Sequence, residues 1–194
     1  MEKEIFDAFL RENDSILSKI AEHACVLHDV ECNQKYGDKP YSYHLGKVVD
    51  YVYKYGYLVC EYEHHILPII FGAWFHDAIE DARMTYNDIL KLAERFMTHY
   101  QAVIATEIVY ALTDEKGRNR KERGSEKHYE DIRNTLYAPF VKWCDRMANL
   151  MYSIETGSRM VDVYLGELGD FCNKLGRDKY VPKELWKLMF PSGD

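Results

Sequence analysis

The sequence has no basic excess, no long uncharged run and no even set of cysteines, and each lack argues against a class of protein. Twenty-five Lys and Arg against thirty-two Asp and Glu leave a formal net charge of −7. A general nucleic-acid surface needs a basic face to neutralise phosphates, so a nucleic-acid partner is not expected. No uncharged run approaches the ~20 residues of a membrane span. The opening MEKEIFDAFLREND is charged and lacks the apolar stretch of a secretory signal, so neither membrane nor export is expected and a cytoplasmic location is. Five cysteines, at positions 25, 32, 60, 144 and 172, form no paired framework. Cys25 and Cys32 have no second close pair to complete a zinc site, so all five read as reduced structural thiols.

What is present is globular and helical. Hydrophobic residues make up 47% of the 194 and charged residues 29%, a balance that supports one sizeable core and no disordered tract. Apolar residues recur at three-and-four spacing in Ile5–Phe9, Ile16–Val30, Val48–Val59, Ile66–Phe75, Ile89–Phe96, Val103–Leu112, Tyr137–Tyr152 and Val161–Leu175. Period-two alternation is never sustained. Turn chemistry falls at Tyr36 to Pro40, Asp114 to His128 and Gly176 to Pro182, and Asp14-Ser15 and Thr85 are plausible helix N-caps. An all-α, single-domain bundle of about seven to nine helices is predicted over residues 1–194.

The densest chemistry lies in FGAWFHDAIEDA, residues 71 to 82. On a helix His76 and Glu80 are four apart, as are Asp77 and Asp81, so each acid sits one turn beyond a possible ligand. Placing four ionisable groups beside an apolar helix is costly without a metal or partners. His44 enters a helix straight after a Gly-Asp-Lys-Pro turn, and Asp145 interrupts the apolar segment APFVKWCDRMANL, residues 138 to 150, where a carboxylate wants a cation. A second His-Asp pair, His28-Asp29, lacks the acids one turn later and reads as solvated or capping. His64 and His65 are adjacent, hence on different faces, and a second metal there is not favoured.

The order His44, His76-Asp77, Asp145 resembles the H…HD…D signature of the HD phosphohydrolase superfamily. More narrowly the chain is similar to the RelA/SpoT-type (p)ppGpp 3′-pyrophosphohydrolase branch with its small stand-alone members. The resemblance rests on G-D-K-P-Y at Gly37 to Tyr41, H-D-A-I-E-D at His76 to Asp81, Y-A-L-T at Tyr110 to Thr113 and K-W-C-D-R-M-A-N at Lys142 to Asn149, and runs from about Ala21 to Gly169. It departs from the family pattern at Leu45, where Pro is common, at Ala82, where Thr is common, and at Lys35-Tyr36, where an Arg-Lys pair is expected.

The resemblance implies an HD-type helical fold and one divalent metal on His44, His76, Asp77 and Asp145. It gives Glu80 and Asp81 the acid/base and water-orienting roles, and it places Lys35, Arg146 and Asn149 at a nucleotide. Mixed nitrogen and oxygen ligands suit Mn²⁺, with Fe, Co or Zn as competitors. The expected reaction is hydrolysis of a phosphoester or pyrophosphate bond, with removal of the 3′-pyrophosphate from (p)ppGpp or a related nucleotide leading. A 5′-nucleotidase of the same superfamily and a non-catalytic nucleotide sensor are the alternatives. Six Lys/Arg within residues 114–128, Arg118 and Arg120 among them, offer a phosphate clamp. Tyr41, Tyr43 and Trp143 are candidates for stacking on a base.

Overall fold

The computed structural model describes residues 1–113, 124–177 and 180–190. Its α-helices are α1 (Lys3–Glu12), α2 (Asp14–Cys25), α3 (Ser42–Tyr55), α4 (Ile66–Phe75), α5 (Ala78–Asp81), α6 (Tyr86–Ala93), α7 (His99–Leu112), α8 (Glu126–Asn134), α9 (Ala138–Glu155), α10 (Met160–Leu175) and α11 (Lys183–Met189). Nine of those described helices have eight residues or more, so the chain is an all-α bundle. None among the described residues is long and apolar enough to cross a membrane. A π-helix, Val26–Glu31, extends α2, and a two-strand ribbon, β1 (Lys35–Tyr36) with β2 (Lys39–Pro40), leads into α3.

The centre of the core is α4. All ten of its residues are buried, as an apolar all-round helix requires. It packs against α2, α3 and α7, and α9 closes on α3. Gly72 permits the tight approach to α7, because a Cβ there would lie 2.6 Å from Ile108. Leu45, Val48, Val49 and Val52 line the inner face of α3, while Trp143 and Phe140 fill the space under α9. Each such side chain contributes about 1.5–3 kcal/mol by leaving water.

Local signals account for several helix ends. Thr85 and Asp88 form a reciprocal capping box on α6, and Thr98 with Gln101 does the same on α7. Asp14 stands one place inside its expected cap position: Asn13 is the boundary residue, its Nδ2 donating to the Phe9 carbonyl. Besides the one-turn α5, two helices lie outside the apolar segments marked in the sequence. Helix α8 reads EKHYEDIRN, mostly charged, yet buries His128, Tyr129 and Ile132 at helical spacing, and α11 buries Leu185, Trp186 and Met189. All five cysteines are free thiols.

Candidate metal centre

Three packed helices bring the ligand candidates together. His44 is the third residue of α3, His76 and Asp77 follow the last residue of α4, and Asp145 sits in the middle of α9. The contacts of α3 with α4 and with α9 therefore set the distances between side chains far apart in sequence. One ligand atom from each of His44, His76 and Asp145 lies within 4.8 Å of the other two. His44 Nε2 is 3.4 Å from Asp145 Oδ1, and His76 Nε2 is 3.8 Å from the same oxygen. Asp77 Oδ2 stands alongside, 3.1 Å from His76 Nε2 and 3.8 Å from His44 Nε2.

Residues 71–82 are not one continuous helix. Helix α4 ends at Phe75, and Asp77 adopts φ −99°, ψ 1° before the one-turn α5. That bridge-region conformation is sparsely populated and recurs at functional sites. It turns the Asp77 carboxylate toward the two imidazoles, while its carbonyl still accepts the Asp81 N–H at 2.8 Å. Glu80 and Asp81 keep their place one turn beyond the ligand pair and are exposed.

The donor set fits a divalent cation. His76 Nδ1 lies 2.8 Å from the Ala73 carbonyl, which can only accept, so Nδ1 carries the proton there. Nε2 is thereby aimed at the carboxylates, buried and without a hydrogen bond of proper geometry, as an outer hydrogen bond on a metal-ligating histidine leaves it. The C-terminal end of α4 adds partial negative charge at the same point. Burial alone would discharge His76, but Asp77 and Asp145 outweigh it and lift its pKa to about 9. Burial likewise opposes ionisation of the two carboxylates. His76 and His44 hold Asp77 below the usual carboxylate range despite the neighbouring Asp145, and Lys142 with the same two histidines holds Asp145 below it.

The other residues singled out from sequence are placed as follows. Asn149 Nδ2 donates to Asp145 Oδ1 at 2.5 Å, and its Oδ1 accepts from the Tyr36 hydroxyl at 2.7 Å. Arg146 is nearly buried, paired with Glu167 at 3.1 Å and laid over the rings of Phe171 and Tyr164. Lys35 is exposed on β1. Trp143 is completely buried against Tyr51 and Tyr55, which removes it as a base-stacking surface. Tyr43 lines a groove of about 220 Å³ between α3 and α9 with Tyr152. His28 is not solvated: it is fully buried beneath Tyr41, while Asp29 does cap, accepting the Ser42 N–H at the start of α3 at 2.9 Å. His65 has Nδ1 2.7 Å from the Tyr137 hydroxyl and Nε2 3.3 Å from that of Tyr100. The clamp residues Arg118 and Arg120 lie outside the described residues.

Three contacts of the ligand candidates were not expected from sequence, where Tyr41 stood only as a base-stacking candidate. The Tyr41 hydroxyl donates to Asp77 Oδ2 at 2.5 Å, Lys142 Nζ is 3.4 Å from Asp145 Oδ2, and Tyr36 stacks on the His44 ring with centroids 4.7 Å apart. Only Lys142 carried a local signal, standing three residues before a carboxylate on a helix. Compared with known family models, with curated proteins and with solved structures, the chain matches none.

Proposed function

We propose that this chain is a metal-dependent phosphohydrolase of HD type acting on a nucleotide, most narrowly by removing the 3′-pyrophosphate of (p)ppGpp or a close relative. The observation that carries the reading is the convergence of His44 Nε2, His76 Nε2 and Asp145 Oδ1 from three different helices, with Asp77 beside them. His44, His76, Asp77 and Asp145 would hold one divalent ion, Mn²⁺ first, with Fe, Co or Zn as competitors. When bound, such an ion supplies Lewis-acid polarisation at phosphorus and lowers the pKa of water toward neutrality.

The chain's own residues divide the remaining work. Glu80 and Asp81, exposed one turn beyond the ligands, are the acids that orient a water and carry its proton. Lys142 offsets the charge of Asp145, and the exposed Lys35 is a cation available to a substrate phosphate. Such a small-molecule reaction suits a cytoplasmic protein with a nucleotide as partner, neither a nucleic acid nor a membrane.

The test is incubation with Mn²⁺ and a panel of ppGpp, pppGpp and nucleoside mono- and triphosphates, reading phosphate and pyrophosphate separately. Pyrophosphate release from ppGpp supports the full reading. Phosphate from 5′-monophosphates alone would keep the metal chemistry and replace the substrate. Binding without turnover across the panel would leave a sensor.

A further inference from the structure

Each carboxylate of the centre is reached by a tyrosine of one short segment, Asp77 directly and Asp145 through one amide. Tyr41 donates its hydroxyl proton to Asp77 Oδ2 at 2.5 Å, and this is the oxygen that lies 3.1 Å from His76 Nε2 and 3.8 Å from His44 Nε2. Tyr36 donates to Asn149 Oδ1 at 2.7 Å, and Asn149 Nδ2 donates to Asp145 Oδ1 at 2.5 Å. That oxygen also faces both histidines, at 3.4 and 3.8 Å. In both cases the hydroxyl acts on the oxygen turned to the centre.

The orientation of the Asn149 amide is forced. Reversing it would set its carbonyl oxygen against an ionised carboxylate oxygen, two acceptors with no proton between them. The relay therefore runs one way, from the Tyr36 hydroxyl through the amide to Asp145.

Nothing about the two rings is loose. Tyr36 lies on His44 at an interplanar angle of 22°, and Tyr41 lies on buried His28 at 20°. His28 is in turn held by Gln34, its Nδ1 2.7 Å from Oε1. Between the tyrosines the ribbon turns at Gly37, whose φ of +61° suits glycine and whose missing Cβ leaves room for the Tyr152 hydroxyl.

We infer that the β1–β2 ribbon with Tyr41 is an outer clasp that sets the cation affinity of the centre through two hydroxyls, one for each carboxylate. The inference rests on the metal-centre reading above. Outer hydrogen bonds fix the rotamer and basicity of a ligand, and their loss typically costs about 10–100-fold in metal affinity. Tyr36 and Tyr41 are positioning residues in this scheme, acting through Asn149 and Asp77.

Calorimetric Mn²⁺ titration of the full chain and of Tyr41→Phe, Tyr36→Phe, Asn149→Ala and the Tyr36→Phe/Asn149→Ala double variant tests it. Tyr41→Phe is expected to weaken Mn²⁺ by about 10–100-fold and Tyr36→Phe by less. In the Asn149→Ala background the Tyr36 change is expected to add nothing, because its route is already cut. Both Phe variants keep their ring contacts, so the melting temperature of metal-free protein should fall by no more than about 2–4 °C.

Mn²⁺ affinity within about twofold of wild type in both Phe variants would overturn the clasp. So would additive losses for Tyr36 and Asn149, or affinity losses that only follow a large drop in metal-free melting temperature. Absence of Mn²⁺ uptake by the unaltered chain would defeat the metal-centre reading and the clasp with it. Uptake by that chain with unaffected variants defeats the clasp alone.

Discussion

The chain holds two His-Asp dipeptides, and the fold uses them in opposite ways. At His76-Asp77 the imidazole Nδ1 donates to the Ala73 carbonyl of the helix just before it, and both Nε2 and the Asp77 carboxylate are left facing His44 and Asp145. At His28-Asp29 the imidazole is spent on Gln34 and on stacking beneath Tyr41, and the carboxylate is spent on the Ser42 N–H. Both histidines are buried and both retain an Nε2 without a hydrogen bond. The difference lies in what arrives from elsewhere: two further candidate ligands meet the first pair, and the described residues hold no other such cluster. A dipeptide acquires chemistry from the helices that converge on it.

The largest effect expected follows directly. His76→Ala removes a candidate ligand and leaves two carboxylates facing each other across His44, so Mn²⁺ affinity should fall by more than the ~100-fold that an outer residue costs. Metal content after dialysis reads it, and retention of bound metal would erase the contrast between the pairs. Next, Glu80→Gln should lower turnover by about 100-fold or more while metal content stays normal, since a proton-transferring group contributes on that scale. Full activity in that variant would remove the second layer of acids from the account.

Much of the centre was legible because burial of charge is expensive. His76, Asp77 and Asp145 stand beside or within apolar runs in the sequence itself, His44 follows a turn straight into its helix, and the structure brings the four side by side. The tyrosine contacts were illegible, since Tyr36 meets Asn149 across 113 residues and Tyr41 meets Asp77 across 36, with no local pattern to join them. The break after Phe75 was hidden too: periodicity continues through His76 and Asp77, and nothing local in the sequence marks the turn of the Asp77 backbone to φ −99°, ψ 1°. Helix α8 escaped because its three buried residues are diluted by charge, and Trp143 misled because an aromatic near a ligand in sequence faced the core instead.

An intermediate effect comes from pH, and it has two signs. His76 has its pKa raised to about 9 in the metal-free fold against about 6.5 unfolded, chiefly by Asp77 and Asp145 working against burial. Its charged form therefore stabilises the metal-free fold fully below about pH 6.5, and that contribution is lost as pH rises through 9. A cation needs the same Nε2 that the proton occupies, so Mn²⁺ affinity should climb by about tenfold per pH unit up to 9 and then level. Melting curves without metal and titrations with it, both run from pH 6.5 to 9, should move in opposite directions. Parallel movement would mean that another group governs the range.

The smallest effect belongs to the other pair. Asp29 caps α3 from a distance, accepting the first helical N–H where Tyr41, the boundary residue, offers no side-chain cap. Asp29→Ala should cost about 1 kcal/mol, the usual value of a lost cap, which for a chain of this size is a fall of about 2–4 °C in melting temperature. Because α3 is also held by its buried face against α4 and α9, His44 should keep its place and Mn²⁺ affinity should change by no more than a few-fold. A loss of metal as deep as that of His76→Ala would show that the cap, and not the helix packing, delivers His44. The two dipeptides would then be parts of one device, and the contrast between them would fail.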